Sequence, residues 1–147
     1  MKKHLLLWLS AVMVIALAIF QRQVGEVIVP EKPVSKNISF AVYAANDYSS
    51  PVYKDASAKL RITVTKVKGC SRTIVWDKTY DAKQLHDYPS FQHAMSQKVV
   101  INNVLDSREK LEVVYTLTYD NKGSVMQMYN GTVVSKGEQT GQLLINI

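Results

Sequence analysis

A single cysteine, Cys70, stands among the 147 residues, so no disulfide can form within the chain. Its neighbours Lys68, Gly69 and Ser71 read as a turn. A nearby lysine favours thiolate, but the setting assigns Cys70 no role beyond that of an incidental free thiol. Internal repeats and low-complexity tracts are missing too, which excludes solenoids and arrays. Beyond residue 36 there is no long helical pattern, so folds built on bundled or alternating helices are excluded as well.

Positive charge is less abundant than the total suggests. The formal net charge is +6, with 18 basic against 12 acidic residues, but Lys2, Lys3 and Arg22 sit in or beside an apolar N-terminal segment. Setting those three aside leaves 15 against 12, spread over many short segments with no basic helix. Phosphate binding needs a clustered footprint, so nucleic acid is not an expected partner.

The N-terminal segment is an export signature. Met1-Lys2-Lys3-His4 precedes sixteen residues, 5–20, whose only polar member is Ser10. As a helix they would span about 24 Å, short of the roughly 30 Å hydrocarbon core of a bilayer. That length favours a cleaved signal peptide, and Ala16-Leu17-Ala18 supplies a small-x-small site. The apolar run nevertheless continues through Ile19 and Phe20 with no polar region before the cut, which tips the expectation toward a retained anchor with its basic end in the cytoplasm. No cysteine stands directly after the run, so the lipid-attachment route of bacterial lipoproteins is not expected, and the lysine pair without an arginine pair points to the general secretory route of a bacterium. The chain is thus expected on the periplasmic or extracellular side, membrane-bound by residues 5–20 or released after cleavage.

The expected organisation is a signal or anchor at 1–20, a spacer at 21–36 broken by Pro30 and Pro33, and a domain at 37–147. Such a domain buries about two thirds of its unfolded surface and needs no disulfide. Its patterning is that of strands. Over 58–67, Ala58, Leu60, Ile62 and Val64 alternate with Lys59, Arg61, Thr63 and Thr65, the mark of a half-buried antiparallel strand. Leu111, Val113, Tyr115, Leu117 and Tyr119 repeat the pattern over 111–119 and predict a central strand. Weaker runs at 38–45, 73–80, 98–104, 125–134 (with a kink at Gly131) and 143–147 bring the total to about seven. Trp76 is expected in the core on the face of Ile74. Lys68-Gly69 and Asp120-Asn121-Lys122-Gly123 read as hairpin connections, the second as a type I turn closed by a left-handed glycine. The predicted fold is therefore all-β: a single antiparallel sandwich, immunoglobulin-like or transthyretin-like, after an N-terminal hydrophobic helix. The cysteine and tryptophan arrangement of true immunoglobulin domains is absent.

Chemistry is sparse. His86 beside Asp87, with Ser90 or Ser96 nearby, is the one cluster with the residue types of a hydrolase, but no nucleophile-elbow glycines accompany it. Adjacent residues on an extended chain also point to opposite faces. His86 and His93 are seven apart, which fits no helical or compact metal motif, and Lys122 spoils the resemblance of 120–124 to a calcium loop. No catalytic residue, metal or cofactor is expected. Tyrosine carries more information: of eight, Tyr48, Tyr53, Tyr88 and Tyr129 fall in or beside loops or weak strands. A rigid ring with a polar tip suits a binding surface, although the same hydroxyls can pin loops to a sandwich. The expected function is a non-enzymatic binding or scaffolding module facing a protein or glycan at the cell envelope. The rivals are a small hydrolase or metal-dependent activity centred on 81–96 and an accessory subunit of a membrane complex.

Overall fold

The computed structural model describes residues 30–147; the stretch read as a signal or anchor at 1–20, with its expected hydrophobic helix, and residues 21–29 of the expected spacer lie outside the described residues. Among the described residues are eight strands: β1 (Val34–Tyr43), β2 (Ala56–Lys68), β3 (Ser71–Thr79), β4 (Lys83–Gln84), β5 (Met95–Val104), β6 (Lys110–Asn121), β7 (Ser124–Val134) and β8 (Thr140–Asn146). They form two sheets, one in the order β5-β1-β8 and the other β3-β2-β6-β7 with the short β4 also on β2. The described residues are all-β, as the alternating pattern predicts.

The strongest patterns lie at the centre. β2 and β6 pair over their whole lengths, from Ala56 opposite Asn121 to Val67 opposite Lys110, and the register sets Leu60 against Leu117 and Val64 against Val113. All four are buried, and Ile38, Phe40 and Val42 of β1 with Leu143 and Ile145 of β8 cover them from the other sheet. Each such side chain contributes about 1.5–3 kcal/mol on leaving water.

Two hairpin connections carry glycine where φ is positive. Gly69 (φ 57°) and Cys70 join β2 to β3 directly, with Lys68 opposite Ser71. The turn from β6 to β7 has both central residues at positive φ, Lys122 at 54° and Gly123 at 85°. It is thus a type I′ turn rather than the expected type I, because only the primed form matches the twist of tightly paired strands. Asp120 accepts the Gly123 N–H (2.8 Å), which occupies the carboxylate in the turn.

Several expectations need correction. The sandwich is not wholly antiparallel, since β1 and β8 run parallel from Asn37 opposite Thr140 to Tyr43 opposite Asn146. No hairpin joins these strands, so no short connection forces them to oppose. The immunoglobulin order fails as well: there the second and third strands occupy opposite sheets, whereas β2 and β3 are neighbours in one. Trp76 stacks on Phe40 (5.5 Å between ring centres), but Ile74 does not share its face and is exposed. The register of β3 slips between its partners Val64 and Thr65, and a bulge of that kind turns the chain so that the alternation restarts on the other face.

β1 begins at Val34, inside the stretch read as spacer, and Lys36 is fully buried. Its ammonium reaches Asp106 (2.6 Å) and the Ser135 carbonyl (2.6 Å), and Asp106 also accepts the Gly137 N–H (2.8 Å). One buried cation therefore ties the first strand to the β5–β6 loop and the β7–β8 turn.

Candidate functional site

The two sheets differ in width. Facing the four main strands of one are three of the other, and the inner face of β7 lacks a full cover. Pairing shows which residues suffer: Met128 lies opposite buried Leu117 and Met126 opposite Tyr119, so both point inward. They are nevertheless 52% and 56% exposed. Beside them, at the end of the sandwich where β1 and β8 finish, is a groove of about 470 Å³ lined by Tyr48, Tyr53, Leu85, Tyr119, Met126 and Met128, among others.

The opposite wall of the groove is the loop between β1 and β2, and its shape follows from local chemistry. Asp47 accepts hydrogen bonds from the Ser49 N–H (2.9 Å) and hydroxyl (2.9 Å), which closes a tight turn and holds its carboxyl below the usual range. Pro51 then opens one turn of 3₁₀ helix, Pro51–Tyr53, where its fixed φ is compatible and its missing N–H costs nothing. The Tyr48 hydroxyl donates to the Ile147 carbonyl (2.8 Å), pinning the loop just beyond β8. Tyr53 meets Tyr48 edge to face, with ring centres 5.1 Å apart. Tyr119 stands half-buried below, and burial first, then the neighbouring tyrosines, push its phenol upward from the ordinary value.

Of the four tyrosines singled out by sequence, two converge and two do not. Tyr48 and Tyr53 form one wall of the groove. Tyr88 is buried, with its hydroxyl donating to the Ala58 carbonyl (2.9 Å); it fastens the 85–90 segment to β2. Burial raises its phenol pKa. Tyr129 is 83% exposed and alternates with Met128, so it stands on the outer face of the sheet. Tyr119, Met126 and Met128 escaped the sequence reading. For the two methionines a signal was available in β7, which over eleven residues contains no charge.

The 81–96 segment has short 3₁₀ turns at Leu85–Asp87 and Phe91–His93, on either side of Pro89. The first brings His86 Nε2 within 3.3 Å of Asp87 Oδ1, a contact that an extended chain would forbid, and both side chains are about half exposed. Ser90 Oγ lies 3.3 Å from His93 Nδ1, not against His86. Of the two candidate hydroxyls, Ser90 is thus turned to His93 rather than to the His86–Asp87 pair, and Ser96 lies on β5 opposite Ala41 of β1.

Chemically, the groove offers aromatic faces and two polarizable thioethers, which adapt to irregular apolar shapes. The nearest carboxylate, Asp120, is already engaged by Gly123. The arrangement suits capture of an apolar or sugar-ring surface. Comparisons with family models, with curated proteins and with solved structures gave no match for this chain.

Proposed function

We propose that this chain is a non-enzymatic extracytoplasmic module that binds or scaffolds a protein or glycan partner at the bacterial cell envelope. The observation that carries the reading is the pair Met126 and Met128, inward-facing yet half exposed, across a groove from Tyr48 and Tyr53. Methionine and tyrosine are enriched where partners bind, and large apolar side chains left bare on one face mark such sites. The apolar segment 5–20 supports delivery of the domain to the outer side of a membrane. Of the two sandwich types expected, the in-sheet β2–β3 hairpin and the parallel β1–β8 pair leave the transthyretin-like one as the proposed topology.

In-cell photo-crosslinking tests the reading. A photoreactive phenylalanine at Tyr53 should give a discrete heavier adduct, while the same group at exposed Thr73 on the far edge should give none. Absence of an adduct at Tyr53, or equal yields at both positions, would count against a groove that holds a partner.

A further inference from the structure

We infer that two copies of this chain pair through their β7 strands, antiparallel about a two-fold axis at Gln127. β7 is an edge strand whose free side is bare among the described residues. Native edges are commonly protected by charge or proline, and the opposite edge of the same sheet, β3, has Arg72, Asp77 and Lys78. β7 has neither charge nor proline in eleven residues. β8 is uncharged too, but its Leu143 and Ile145 are already buried between the sheets.

The sequence of the edge matches itself. Val125-Met126-Gln127-Met128-Tyr129 is nearly palindromic in character, and antiparallel pairing about Gln127 sets Met126 opposite Met128 of the second copy and Val125 opposite its Tyr129. The first contact falls on the inner face and the second on the outer, where an aromatic residue across from a β-branched one is a favoured cross-strand pair. No like charges meet across the axis. All four of these side chains are more than half exposed in the single chain.

Backbone geometry allows the same register. The Gly131 N–H is free of the ladder, because the Asn130 side-chain oxygen accepts it at 2.7 Å. Antiparallel ladders alternate residues bonded to one neighbour with residues bonded to the other. By that alternation Val125, Gln127 and Tyr129 also turn their backbone groups toward the free edge, in phase with a second β7 centred on Gln127. Met126 and Met128 line the groove, so the second copy adds a methionine to its open flank. The pairing rests on the edge itself and stands or falls independently of what the groove binds.

The test uses the full chain in detergent, in a Cys70→Ser background. Light scattering should give twice the mass of one chain, and Gln127→Lys, which sets two ammonium groups against each other on the axis, should halve it. Gln127→Cys should convert most of the chain to a covalent dimer on mild oxidation, whereas Ile74→Cys on β3 should not. A single-chain mass before substitution, or crosslinking at Ile74 equal to that at Gln127, would overturn the proposal. The crosslink needs no destabilising change, so it decides the matter even if Gln127→Lys folds poorly.

Discussion

Gly131→Ala should lower the unfolding free energy by about 2–3 kcal/mol, and Gly131→Val by more, because the new side chain meets backbone rather than a movable side chain. A Cβ at this position would lie 2.3 Å from the Val113 carbonyl oxygen and 3.1 Å from the Val114 Cα. Both are fixed in β6, the strand on which β2 and β7 depend. Relief requires β7 to draw away from its partner over 131–134, where Val134 is buried opposite Leu111. Urea denaturation should show the loss as a lower midpoint, and Val133→Thr on the same strand, at an exposed position, should stay within about 0.5 kcal/mol of the parent. Equal midpoints for Gly131→Ala and the parent would refute the close approach.

Lys36→Met should cost about 2–4 kcal/mol, since it keeps the buried stem but leaves the Ser135 carbonyl and Asp106 without their cation. Partial exposure of Asp106, at 27%, lets water take over some of that burden and argues for the lower part of the range. The pair also has a pH signature. Hydrogen bonding from Lys36 first, then from the Gly137 N–H, holds the Asp106 carboxyl below its ordinary 3.8. A depressed folded value means the carboxylate's contribution is complete above the unfolded value and disappears as the pH falls through the folded one. The parent should therefore lose stability on acidification below about pH 4, and Lys36→Met should lose less over the same interval. Denaturant midpoints measured across that interval check both; parallel pH profiles for the two proteins would remove Lys36 as the cause.

These two positions also show where sequence reasoning stops. The alternation over 58–67 and 111–119 is local, and it identified the two central strands because one face of each is wholly buried. Gly69 and Gly123 were legible as turns for the same local reason. Strand order was not, since β1 meets β8 across about a hundred residues and no short-range pattern encodes that pairing. Lys36 read as spacer because a buried lysine is recognisable only by partners at 106 and 135, both remote in sequence. The bulge that separates Trp76 from Ile74 is a property of pairing with β2, not of β3 alone.

The groove was half legible. Tyr48 and Tyr53 stood out through a loop rich in turn residues, but Tyr88 has the same composition around it and serves as a fastener. Met126 and Met128 occupy inward positions of β7, set by pairing with β6. Their exposure comes from the opposing sheet having one main strand fewer, a count that no single strand reveals.

Hydroxyl-radical footprinting addresses the central claim most directly, because tyrosine and methionine are both good targets of oxidation. The full chain would be oxidised once as purified protein and once in its native envelope, with Tyr53 as reporter and Phe91, exposed away from the groove, as internal control. An occupied groove predicts that Tyr53 is protected in the envelope relative to the purified chain while Phe91 reacts equally in both; equal oxidation of Tyr53 in the two settings would contradict it.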